Sequence, residues 1–164
     1  MKIRPEHPDD EAATYALTEA AFAPMAFSDG TEAAALDGLR KDGDLTLSLV
    51  AVQDDRIVGH VAFSPVTIDG AHDGWFGLGP VSVMPSKQRS GIGTALINEG
   101  LSQLQAQGAS GCALIGNPDY YHRFGFQSCG TLTYGDLPTR LVQWVAFGDT
   151  APHGALVFSP ALQD

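Results

Sequence analysis

Residues 88–94, Gln-Arg-Ser-Gly-Ile-Gly-Thr, carry the most chemistry per residue in this 164-residue chain. Gly91 and Gly93 stand where an apolar run ends and an amphipathic one begins. Helix propensity alone disfavours glycine at such a place. A helix N-terminus presents unpaired N–H groups and a partial positive charge, and anions bind there. Glycine lets that backbone approach a ligand with no Cβ in between. Thr94 adds a hydroxyl, and Lys87 and Arg89 flank the turn with two of only nine basic side chains. The chemistry implied is the holding of a phosphate or pyrophosphate.

Three glycine patterns compete for this stretch. A P-loop needs Lys-Ser/Thr after its second glycine, and Thr94 follows Gly93 directly. A dinucleotide fingerprint needs a third glycine where Leu96 stands, and a βαβ unit at the N-terminus. The pattern Gln/Arg-x-x-Gly-x-Gly/Ala fits at each defined position, from Gln88 through Arg89, Ser90, Gly91 and Ile92 to Gly93. An apolar run, Gly79 to Pro85, leads into it, and a buried run, Cys112 to Gly116, follows the helix. Some thirty residues on comes Tyr120-Tyr121-His122-Arg123-Phe124-Gly125-Phe126. Together these resemble the GNAT superfamily of acetyl-CoA-dependent N-acetyltransferases, whose second signature is Tyr-x-x-x-Gly-Phe.

The resemblance implies a single-domain α/β (α+β) fold over residues 1–164: a mixed, mostly antiparallel sheet with a splayed parallel strand pair and flanking helices. It implies that acetyl-CoA lies between strands 75–84 and 111–116. The Val81 backbone would then face the thioester carbonyl, Val83 would pair with the pantetheine arm, and Gln88–Thr94 would cradle the pyrophosphate. Pro80 and Pro85 bracket the strand and cannot donate to a ladder, which suits a place where strands part. Tyr121, four residues before Gly125, takes the general-acid position; Tyr120 becomes the acid if the register slips by one, and half-buried packing is the alternative for both. Asn117 is the nearest asparagine to the family's pantetheine ligand, but lies four rather than seven residues before Tyr121, with Pro118 between. Arg123 and Phe124 border the cofactor channel in this reading. Strand 75–84 carries no carboxylate. His60, Asp69, His72 and Asp73 lie around the hairpin, none is assigned as base, and a water-relayed proton is the expectation.

The expected activity is transfer of the acetyl group to a primary amine of a small molecule, peptide or protein. The alternative is a catalytically silent CoA-binding module for sensing or assembly. A nucleotide-binding regulator is a third reading, which would require ATP or NAD to compete with CoA. The acceptor pocket is expected between the N-terminal helices, their loop 23–30, and the C-terminal strands with Trp144 and Phe147; Phe22, Met25 and Phe27 read as its apolar wall or as ordinary core, with core the preferred reading. A homodimer follows the family's habit.

The elements that must position these groups read off the periodicity. Strands are expected at 1–4, 45–53, 56–68, 75–84 and 111–116, and helices at 11–22, 31–41, 91–107 and 118–124. Asp54-Asp55 joins two strands as a hairpin. The strand–helix–strand unit 75–116 requires a parallel crossover. The net charge is −10, and 14 of the 19 acids fall in residues 1–73. That balance argues against nucleic acid and suggests a cationic acceptor. No run approaches the roughly 20 apolar residues of a membrane span, and the acidic N-terminus resembles no export signal, so a cytoplasmic protein is expected. Cys112 and Cys129 read as free thiols, and the scattered histidines form no metal motif.

Overall fold

The computed structural model describes residues 1–25 and 28–163. The chain runs β1 (Lys2–Pro5), α1 (Glu11–Phe22), α2 (Glu32–Asp42), β2 (Leu47–Gln53), β3 (Arg56–Pro65), β4 (Thr67–Ile68) and β5 (Trp75–Val83). It continues with α3 (Ile92–Ala106), β6 (Gly111–Ile115), α4 (Pro118–Tyr121), β7 (Leu132–Thr133), β8 (Val142–Ala146) and β9 (Gly154–Val157). Six strands form one sheet in the order β1-β2-β3-β5-β6-β8; β4, β9 and β7 form a small second sheet. Among the described residues of the large sheet, β5 and β6 are the pair that runs parallel, as their crossover through α3 requires. Among the described residues, no helix is long and apolar enough to cross a membrane.

Local chemistry explains the boundaries. A turn at Pro8–Asp10 precedes α1, and the Asp10 carboxylate accepts from the His7 N–H at 2.7 Å. Gly43, with φ 74°, closes α2 in the left-handed conformation that glycine adopts without strain. Asp54 and Asp55 both have positive φ, 53° and 61°. The hairpin thus keeps the twist of a primed turn without the favoured Asn-Gly. The run expected as one strand over 56–68 divides at Val66. There the chain leaves the large sheet, and β4 pairs with β9 instead. Gly59 lies inside β3. A Cβ there would stand 2.6 Å from Ile92 Cγ2, so its absence lets α3 settle on the sheet.

The core has two faces. Leu49, Val61, Phe63, Leu96, Ile97 and Leu114 fill the space between the sheet and α3. Val66, Trp75, Ala113, Val142, Trp144 and Leu156 form a second cluster. A polar seam lies where α1 and α2 meet β2 and β3. Glu6 accepts from Arg40 Nη2 at 2.6 Å, Ser48 Oγ donates to Glu6 at 3.1 Å, and Ser48 Oγ meets His60 Nε2 at 2.7 Å. This seam ties α2 to the sheet.

Candidate active site

The parallel pair is short. Trp75, Phe76 and Gly77 pair with Gly111, Cys112 and Ala113; beyond Gly77, β5 runs on beside β3 alone, and β6 beside β8 alone. The two strands therefore fork. Val61 pairs with Val81 and Phe63 with Leu78, so two steps of β3 span three of β5, a bulge at Gly79-Pro80. Gly79 has φ 145°, which other residues rarely adopt. After the bulge the ladder is regular. The Met84 N–H donates to the Val58 carbonyl at 2.8 Å. By alternation, Val83 and Val81 turn their N–H and C=O groups away from β3, into the fork. Gln88 Nε2 donates to the Val83 carbonyl at 3.2 Å from that side.

At the open end of the fork stands the N-terminus of α3. Arg89 (φ 64°) and Gly91 (φ 89°) are both left-handed, and no side chain caps the helix. The first helical bond runs from the Ala95 N–H to the Gly91 carbonyl, which leaves the N–H groups before it facing outward. Ser90 Oγ donates to the Lys87 carbonyl and braces the turn. A cavity of about 490 Å³ opens here. The turn lines it with Gln88, Arg89, Gly91, Ile92, Gly93 and Thr94; Val83, Tyr120 and Arg123 complete it. Among the described residues, the charged ones that line it are Arg89 and Arg123, in a chain of net charge −10. The arrangement suits a polyanion.

Of the two tyrosines, Tyr120 lines this cavity and Tyr121 does not. Tyr120 reaches the turn: a Cβ on Gly93 would lie 3.5 Å from its hydroxyl, and the Arg123 guanidinium sits 4.4 Å over its ring. Tyr121 turns toward the end of β6, its ring across Gly116. The rings meet edge-on, with centroids 4.9 Å apart. Burial, helped by the neighbouring Tyr120, pushes the Tyr121 phenol up to about 12. Phe124 packs 5.6 Å from Tyr120 and 6.2 Å from Tyr121, behind the cavity wall. The Asn117 side chain caps α4, its Oδ1 accepting from the Asp119 N–H at 3.0 Å, and it stands outside the cavity lining.

A second cavity, about 810 Å³, adjoins the fork from the α2 side. Leu78, Gly79, Pro80 and Ile115 form its strand edge, and Phe22 with the 29–42 segment forms one wall. The expected Trp144 and Phe147 do not line it. Trp144 is buried in the second core cluster, and Phe147 lines a separate depression with Asp69, Asp73 and Asp149. The opposite wall is instead Tyr134, Phe158 and 160–163. Met25 lies outside the lining, and Phe27 lies outside the described residues. His60 is fully buried in the polar seam; burial holds it down to about 4, with Glu6 opposing and Arg40 assisting. That places it out of reach of a substrate. His72 Nδ1 bonds the Val66 carbonyl, and Asp69 accepts from the Ala155 N–H, both away from the fork.

Comparison with known proteins fits this geometry. The family described as Acetyltransferase (GNAT) domain matches residues 2–129. The chain belongs to the GNAT acetyltransferases. The N-acetyltransferase YhbS of Escherichia coli K12 is 38% identical over 128 residues, 77% of this chain and 74% of that protein. A GNAT family acetyltransferase from Brucella melitensis, solved in complex with acetyl-CoA, is 47% identical with a TM-score of 0.90, covering 99% of this chain and 97% of its own. The YhbS crystal structure, in complex with CoA, superposes with a TM-score of 0.89 at 31% identity, over 98% and 90% of the two chains. The forked sheet of this chain is thus the GNAT fold.

Sequence reasoning did not find the C-terminal wall or the closely packed glycines of this GNAT chain. Both left signals: Gly38 interrupts an otherwise good helix, and Gly116 ends a buried strand just before a Pro-initiated helix.

Proposed function

We propose that this enzyme transfers the acetyl group of acetyl-CoA directly to a primary amine of a small molecule or peptide. The observation that carries the reading is the unpaired edge of β5 from Leu78 to Val83, with a basic cavity at one end and a larger cavity at the other. The N–H groups at the start of α3, with Arg89, Arg123 and the Thr94 hydroxyl, hold the pyrophosphate. The Val83 and Val81 backbones direct the pantetheine arm along the fork.

The amine comes from the α2 side and reacts in its neutral form. Its nitrogen bonds to the thioester carbonyl carbon, and the carbon–sulfur bond breaks. The Val81 N–H points into the fork and stabilises the oxyanion; one such donor is typically worth about 3 kcal/mol. The buried Tyr121 hydroxyl, protonated at any physiological pH, supplies the thiolate's proton. The amine's proton leaves through water; β5 itself carries neither carboxylate nor histidine. The test is acetyl-CoA-dependent thiol release across a panel of primary amines. Micromolar acetyl-CoA binding with no release on any amine would instead favour the silent CoA-binding module.

A further inference from the structure

The cavity beside α2 has a wall beyond the stretch that matches the family. Residues 2–129 supply the fork edge and α2. Tyr134, Phe158 and Leu162, which face them, come later in the chain. Close packing fixes this wall. A Cβ on Gly77 would stand 3.0 Å from Phe158 Cδ1 and Cε1, so the Phe158 ring lies on the last β5 residue that pairs with β6. Tyr134 supports that ring edge-on, with centroids 5.3 Å apart. Ser159 Oγ donates to the Pro65 carbonyl at 2.9 Å. A Cβ on Gly38 would stand 2.9 Å from Ala161 Cβ, so the terminal turn rests directly on α2.

Phe158 thus stands at the apex of the fork and lines the acceptor-side cavity with Leu78, Gly79 and Pro80, the β5 residues that lead to Val81. Facing it, α2 presents Ala34, Ala35 and Gly38 between its terminal Glu32 and Asp42, a slot with an apolar middle. The charged residues lining this slot are Asp29, Glu32 and Asp42, near the two ends of α2, and no Lys, Arg or His lines it among the described residues. Resting on the acetyl-transfer reading of the fork, we infer that Phe158, backed by Tyr134, is the specificity-determining residue of the acceptor site. The acceptor it selects is a cationic amine on an unbranched apolar body. A branch on the carbon next to the nitrogen meets the Phe158 ring, and an acidic body meets the carboxylates of the slot.

The experiment measures thiol release by the full chain with acetyl-CoA and four probes. These are 2-phenylethylamine, its analogue methylated beside the nitrogen, 1,5-diaminopentane and a peptide with an acidic N-terminal segment. Wild type should favour the unbranched amine over the methylated one by at least about tenfold in kcat/KM, the scale of one misplaced methyl group. Phe158→Ala should narrow that ratio to within about threefold by raising the branched rate, with acetyl-CoA Kd within about twofold of wild type. Phe158→Leu serves if the alanine variant does not fold, and should shift the ratio in the same direction. An unchanged ratio in a folded variant overturns the inference. So does preference for the acidic peptide, or no turnover of either unbranched amine by a wild type that binds acetyl-CoA. Failure of wild type to bind acetyl-CoA would overturn the acetyl-transfer reading itself.

Discussion

The Tyr121 ring lies flat enough against the end of β6 that a Cβ on Gly116 would stand 2.6 Å from Tyr121 Cε2. Gly116 is otherwise held in place: its N–H donates to the Leu141 carbonyl and its carbonyl accepts from Gln143 Nε2. Any side chain there therefore moves the tyrosine rather than the strand. Gly116→Ala should lower kcat at least about tenfold while acetyl-CoA affinity stays within about threefold, because misplacing a reacting group by an ångström is costly. Steady-state turnover beside calorimetric Kd values checks this, and an unaltered kcat would contradict it.

Tyr121→Phe should reduce kcat by about 10²-fold or more, the usual scale of general acid catalysis. Tyr120→Phe keeps the ring that packs against Arg123 and should cost less than about fivefold. With its phenol raised to about 12, Tyr121 remains a proton donor far into the alkaline range. The kcat profile should therefore show no falling limb between pH 7 and 10. A falling limb near pH 10 would argue against Tyr121 as the acid.

Stability should depend on pH through the polar seam. His60 is held from its ordinary 6.5 down to about 4 by burial, so the unfolded chain takes up a proton that the folded chain refuses. Its contribution is complete above about pH 6.5 and is lost as pH falls toward 4. For Glu6, burial alone would raise the carboxyl, but hydrogen bonds from Arg40 and Thr14 and the charge of His60 bring it below its ordinary 4.5. Its contribution is present above 4.5 and fades below. Urea midpoints measured from pH 7.5 to 3.5 should thus decline in two windows. His60→Gln should flatten the upper one; an unchanged slope between pH 6.5 and 4.5 would contradict the account.

The anion turn and the forked strand pair were legible because local rules write them. Gly91 and Gly93 mark backbone open to an anion before a helix, and Pro80 marks a strand that parts from its neighbour. Hairpin, crossover and helix limits followed from periodicity in the same way. The acceptor cavity was legible only on its α2 side. Its other wall depends on how Phe158 meets Gly77 and Ala161 meets Gly38, contacts across 81 and 123 residues of chain that no local pattern encodes. Trp144 illustrates the converse. An aromatic on a C-terminal strand suits a pocket or a core equally, and only the second cluster around Trp75 and Leu156 decides for the core.

The central claim rests on the open N-terminus of α3, and Gly93 gives the cleanest access to it. Unlike Gly91, Gly93 does not have a positive φ, and a Cβ there would meet only Tyr120 and Val83 at 3.5 and 3.6 Å, ordinary contacts. An acidic side chain in the first turn also suits the helix dipole. Gly93→Glu should therefore fold with its Tm within a few degrees of wild type, at a cost below about 1 kcal/mol. Calorimetric titration of acetyl-CoA into both proteins is the measurement to make. The account predicts one micromolar site in wild type and binding weakened at least about 100-fold in the folded variant, whose carboxylate occupies the place of the phosphates. Equal affinity in the two proteins, or no binding to wild type, would contradict it.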